Sequence, residues 1–141
     1  MKARDTQQRK EIIRVLTAAR GPLSAHEIWS RGKVQQPKLG IATVYRCLKR
    51  LQDERQIRTV VLPSGESLYE RVVLQHHHPF QCNRCREVTA LAFCPQGLLD
   101  SIVLPSGYWI QGHEITFTGL CADCRTSKGD EHSPLDQGFT P

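Results

Sequence analysis

Two Cys-x-x-Cys pairs carry the clearest chemistry in this chain: Cys82 with Cys85, and Cys121 with Cys124. Each pair sets two thiolates in one tight turn, where both reach the same ion. Two pairs complete a tetrahedral sulfur shell, which suits Zn²⁺ and leaves it no open position. A redox dithiol would need only one pair, and an iron–sulfur cluster is the other occupant that four thiolates could hold. Just upstream stands His76-His77-His78. In an extended segment alternate side chains share a side. His76 and His78 then face one way and His77 the other, so the triplet can serve two sites. His113 and Cys94 are the remaining residues able to join His76 and His78. That set offers three nitrogens and one sulfur, a softness that favours zinc over manganese or magnesium. The alternatives are a polar surface linker for the triplet and a buried thiol for Cys94.

These ligands need a frame. Phe80–Cys82 and Val88–Leu91 read as short strands around the first knuckle. Pro95–Val103 reads as a short helix, and Tyr108–Ile110 and Glu114–Thr118 as strands leading into the second knuckle. Upstream, residues 6–19 predict a helix with Ile12, Val15, Leu16 and Ala19 on one face, ended by Gly21-Pro22. Ser24 and Glu27 form a capping box that opens a second, short helix, with His26 exposed in its first turn. After a loop over 31–40, residues 41–54 give the clearest helix. Its buried stripe is Ile41, Val44, Leu48 and Leu51, with Cys47 beside it as a small core residue. Ile57–Leu62 and Ser67–Arg71 flank a turn at Pro63–Glu66. Helix, helix, helix, hairpin is the order of a winged helix-turn-helix, whose third helix enters the major groove of DNA. Thr43, Tyr45, Arg46, Lys49 and Arg50 lie off the buried stripe and are the candidate phosphate and base contacts.

Charge supports this division. Residues 1–75 hold 15 Lys and Arg against 7 Asp and Glu, whereas residues 76–141 hold 4 against 7. A basic half followed by an acidic one points to a polyanion-binding unit at the N-terminal side, the alternative being a solubilising surface. A length of 141 residues suits one domain or two small ones, and domains of about 70 residues often lean on metal or a partner chain. The chain divides into a winged-helix DNA-binding domain (1–71), a hinge (72–75), a metal-binding domain (76–125) and a disordered tail (126–141). The N-terminus shows no signal core and no apolar run is long enough to span a membrane, so the expected location is cytoplasmic. Thiols there stay reduced, which favours metal over disulfides. A zinc enzyme would keep an open metal position and a carboxylate base nearby. The deaminase pattern of His-x-Glu with Pro-Cys-x-x-Cys is absent, as are a nucleophile triad and a phosphate loop. No enzymatic activity is expected.

Taken together, Gly40-Ile-Ala-Thr-Val-Tyr-Arg46, Gly65-Glu-Ser-Leu-Tyr69, His76-His-His78 and the two knuckles resemble the ferric uptake regulator (Fur) family over residues 5–125. The resemblance implies an α+β fold, with an N-terminal winged helix-turn-helix and a small α/β dimerisation domain carrying a four-cysteine zinc site. It implies a homodimer on a palindromic operator in double-stranded DNA, a structural Zn²⁺ on Cys82, Cys85, Cys121 and Cys124, and a regulatory metal near the hinge. Family members bridge the two domains with a second regulatory site. Glu70 and His77 match it, but Pro79 replaces a common ligand, and Pro22 or Arg58 stands where other members have ligands. That site is therefore not expected in its usual form. The site within the dimerisation domain keeps His76, His78 and His113. Gly97 stands at its usual carboxylate, and Cys94 or Gln96 could replace it, Cys94 being preferred. His78 at the aspartate position argues against peroxide sensing. The ligand set looks most like the zinc-uptake-regulator (Zur) branch, a repressor with zinc as corepressor. The alternatives are an iron(II)-responsive regulator and a DNA-binding protein with structural zinc only.

Overall fold

The computed structural model describes residues 2–73 and 76–126. Helix α1 (Lys2–Ala18) turns Ile12, Val15 and Leu16 inward, and helix α2 (Ala25–Lys33) adds Ile28. The capping box that opens α2 is formed on both sides. The Ser24 hydroxyl accepts from the Glu27 backbone N–H at 3.2 Å, and the Glu27 carboxylate accepts from the Ser24 N–H at 2.8 Å. Helix α3 (Ile41–Asp53) contributes Val44, Cys47, Leu48 and Leu51 to the same core. Strands β1 (Ile57–Val61) and β2 (Ser67–Arg71) pair antiparallel, from Ile57 opposite Arg71 to Val61 opposite Ser67. Gly65, at φ 84°, makes the turn between them. A two-bond backbone bridge between Leu23 and Tyr69, at 2.9 and 2.7 Å, pins this hairpin to the segment between α1 and α2. The result is a winged helix-turn-helix around one apolar core.

A second, three-stranded sheet has β3 (His78–Cys82) at its centre. Strand β4 (Val88–Leu91) pairs with it antiparallel and β5 (Phe117–Gly119) parallel. Short helices α4 (Gln96–Asp100) and α5 (Ala122–Thr126) complete this half. The two halves meet at close quarters. The Ala90 N–H donates to the Arg20 carbonyl at 3.0 Å, and a methyl group on Gly21 would lie 2.5 Å from the Val88 carbonyl oxygen. Only glycine permits this approach of backbone to backbone.

Several expected boundaries move. Helix α1 begins at Lys2 rather than residue 6, and the helix expected over Pro95–Val103 stops at Asp100 with Pro95 as its cap. The last strand is Phe117–Gly119 instead of Glu114–Thr118. Tyr108–Ile110 forms no strand. Its aromatic and β-branched residues signal one, but among the described residues no strand pairs with them, and Tyr108 and Trp109 are each 72% exposed. Residues 74 and 75 of the expected hinge, and 127–141 of the expected tail, lie outside the described residues.

Candidate metal centres

The four-cysteine group is assembled by the central sheet. Strand β3 delivers Cys82 into a turn closed by Cys82 N–H to the Glu87 carbonyl (2.9 Å) and Arg86 N–H to the Cys82 carbonyl (3.0 Å), with Arg86 at φ 65°. The Asn83 N–H donates to the Gly119 carbonyl at 2.7 Å, and this tie to β5 carries the second knuckle alongside the first. The Arg84 guanidinium hydrogen-bonds the Cys124 carbonyl from across the pair. All four sulfurs lie within 4.8 Å of one another, with Cys85 and Cys121 at 3.8 Å. A tetrahedron with zinc–sulfur bonds of about 2.3 Å has edges of about 3.8 Å, so the spacing fits that ion. Hydrogen bonds from the Cys121 and Cys85 backbone pull the buried Cys82 thiol down to about 6. The Cys124 thiol is pushed up to about 12, first by its neighbour Cys121 and then by burial. Thiolates this close repel one another, and a divalent cation would let all four ionise together.

The second group gathers on one side of the histidine triplet. His76 Nε2 lies 2.9 Å from His78 Nε2 and 3.0 Å from His113 Nε2, and the latter two are 3.3 Å apart. Cys94 Sγ sits 3.3 Å from His113 Nε2, so three nitrogens and one sulfur converge. Three imidazole nitrogens at such distances converge on one point, where at most one ring proton fits between them. A cation accepts all three lone pairs. Tetrahedral zinc–nitrogen bonds of about 2.0–2.1 Å place the nitrogens about 3.3 Å apart, which these rings already approach. His78 is buried, and its ring hydrogen-bonds the Ile115 backbone, which fixes its orientation. Burial first, then the neighbouring His76 and His113, hold its pKa below the ordinary histidine value, so it is neutral and ready to ligate at neutral pH. Gly97 is exposed and carries no ligand atom. Gln96 donates its amide nitrogen to Asp100 at 3.0 Å, while its amide oxygen lies 3.8 Å from Cys94 Sγ.

His77 points to the other side. Its Nε2 lies 2.9 and 3.1 Å from the two carboxylate oxygens of Glu70, which is buried in β2. Carboxylates only accept, so that nitrogen carries the proton. Arg58 Nε donates to the same carboxylate at 2.6 Å, with Arg58 Nη2 3.2 Å from the His77 ring. Pro79 is committed to β3 opposite Ala90, and Pro22 is buried. The Arg58 contact was missed by sequence reasoning. Its signal was present, because a hairpin centred on Ser64 sets Arg58 directly opposite Glu70.

On α3, Tyr45, Arg46, Lys49 and Arg50 are exposed on the face away from the core, and Thr43 is half-buried. Arg46 Nη2 donates to Thr43 Oγ1 at 3.1 Å, and Lys49 lies 4.0 Å from Asp53.

The family model described as "Ferric uptake regulator family" matches residues 1–118. The chain belongs to the ferric uptake regulator family. It is 29% identical over 110 residues to a ferric uptake regulation protein of Neisseria meningitidis, covering 77% of this chain and 76% of that one. Among solved structures it resembles a zinc-bound manganese uptake regulator, with a TM-score of 0.72 and 26% identity over 81% of this chain and 87% of that one. It also resembles a zinc uptake regulator complexed with zinc and DNA, with a TM-score of 0.55 and 26% identity over 85% and 82% of the two chains. Membership makes this Fur-family protein a metal-responsive regulator rather than an enzyme. Its relatives are named for iron, manganese and zinc, so the metal must be argued from its own ligands. Among the described residues no helix is long and apolar enough to cross a membrane.

Proposed function

We propose that this Fur-family chain is a zinc-responsive transcriptional repressor, with zinc as corepressor at His76, His78, His113 and Cys94. The observation that carries this reading is the convergence of three Nε2 atoms and one thiol on a common point. A nitrogen-rich set with a thiolate matches zinc better than the harder manganese, and its four donors match tetrahedral geometry. Cys82, Cys85, Cys121 and Cys124 hold a second, permanent zinc whose closed sulfur shell stabilises the metal-binding half.

DNA is read by α3, with Tyr45, Arg46, Lys49, Arg50 and Thr43 contacting phosphates and base edges in the major groove. The working units are residues 1–71 on DNA, 72–75 as hinge and 76–125 for metal and dimerisation, in the cytoplasm. Val103, Tyr108, Trp109 and Ile110 are exposed apolar side chains that no described residue covers. A second copy would cover them and set two recognition helices for a palindromic operator. Zinc favours the DNA-binding arrangement by binding it more tightly than the alternative, and DNA must tighten zinc in return. Iron is the second reading, supported by the relatives named for ferric uptake.

The test is metal analysis of protein purified without added metal, followed by operator binding titrated separately against free zinc, iron(II) and manganese(II). Zinc should drive binding at the lowest free concentration. Binding that responds to iron(II) alone would assign the iron role, and binding indifferent to all three would leave only structural zinc.

A further inference from the structure

Glu70, buried, and His77, half-buried, are a pair of ligand-type groups that no third His, Cys, Asp or Glu among the described residues completes into a metal-sized group. Among the described residues, the only groups of three or more His, Cys, Asp or Glu side chains suited to a metal are the two described above. The cation at this place is the guanidinium of Arg58, which donates to Glu70 at 2.6 Å and abuts His77 at 3.2 Å. The pieces of this triad come from different halves of the chain. Arg58 and Glu70 face each other across β1 and β2, the wing. His77 lies between His76 and His78 in sequence, with its ring on the opposite side of the segment.

We infer that Arg58, Glu70 and His77 form a metal-free link through which the histidine cluster holds the wing. The inference rests on the reading that zinc binds His76 and His78. Zinc held by both of those rings fixes the three-residue segment and its alternation of sides. The ring of His77 is then presented to the Glu70 carboxylate, and the guanidinium of Arg58 keeps that carboxylate aimed. Both Glu70 oxygens are engaged, with Arg58 Nε on one and His77 Nε2 within 3.1 Å of each. A divalent ion here would add a second metal-dependent step. Arg58 supplies the charge permanently, so the wing responds to a single ion. Arg58, Glu70 and His77 are positioning residues, and none of them touches the metal.

Hydrogen exchange of the wing amides over 57–71, measured with and without one equivalent of zinc beyond the structural ion, tests this link without DNA. In the wild type, zinc should slow exchange there at least about fivefold, the low end of ordinary coupling between sites. In His77→Ala, and separately in Glu70→Gln, the zinc count should stay at the wild-type value while the slowing disappears. A residue with a merely structural role would raise exchange equally in both metal states and leave the zinc-dependent difference intact. An unchanged zinc-dependent difference in both variants overturns the link. So does a wild type that binds zinc at the histidine cluster with no change in the wing. Absence of zinc binding at that cluster in the wild type defeats the zinc reading itself, and the link with it, and is told apart by the metal count.

Discussion

His78 is the most constrained residue of the histidine–cysteine cluster. It is buried, pinned to the Ile115 backbone, and held below the ordinary histidine pKa by burial and by His76 and His113. Above about pH 6.5 it is neutral in folded and unfolded chains alike. As pH falls through that value the unfolded chain takes up a proton that the folded chain still resists, so acid favours unfolding. Zinc must also compete with protons for the same nitrogens. Zinc must displace the Cys94 thiol proton on binding, so zinc affinity at this cluster is expected to fall already from about pH 8 to 7 and more steeply below about pH 6.5, where the imidazoles take up protons and the urea midpoint of the cluster-empty protein falls as well. Competition with a chelator of known affinity across that range checks the first part. Cys94 gives a second prediction. Cobalt(II) added to protein whose four-cysteine site already holds zinc should show a sulfur-to-metal charge-transfer band. That band should vanish in Cys94→Ser, with a loss of metal affinity of at least about tenfold. A cobalt spectrum with no sulfur band in the wild type would remove Cys94 from the ligand set.

At the scale of elements, the first half of the chain was readable because its local signals agree. The Ser24–Glu27 capping box, the Val44–Leu48–Leu51 stripe and the Gly65 turn each name one structure, and each forms. The metal-binding half was less readable. Its strands are three to five residues long, too short for a pattern of period two to set their ends. Tyr108–Ile110 reads as a strand in isolation, but pairing needs a neighbour that local sequence cannot supply. The two groups of candidate ligands that the fold brings together were legible for a different reason. Thiols at fixed spacing and alternating histidines state their own geometry, whereas Arg58, read only as a residue standing at a ligand position, showed its contact with Glu70 once β1 and β2 were in register. The junction of the halves yields a further prediction. Gly21 lies where a methyl would overlap the Val88 carbonyl and the Thr89 Cα. Gly21→Ala should therefore destabilise the protein by about 1–3 kcal/mol, read as a lower urea midpoint. The winged-helix core is not at this contact, so Leu48→Ala should act separately, at about 2–5 kcal/mol for a fully buried leucine.

At the scale of the whole molecule, a basic reading head and a metal-binding half are joined through a short histidine segment that looks both ways. One side gathers His76, His78, His113 and Cys94, and the other rests on Glu70 and Arg58. The apolar run from Val103 to Ile110 is the surface that should join two chains. Replacing both Tyr108 and Trp109 with Asp should shift sedimentation from dimer to monomer while leaving the structural zinc in place. The central claim is that zinc at the histidine cluster controls DNA binding. Its most direct measurement is operator affinity as a function of free zinc in the wild type and in His76→Ala/His78→Ala, both with the four-cysteine site filled. The wild type should gain at least about tenfold in affinity as zinc rises, within the ordinary range of coupling between two sites, and the double variant should stay at the low-affinity value. Equal zinc response in the two proteins would contradict the account.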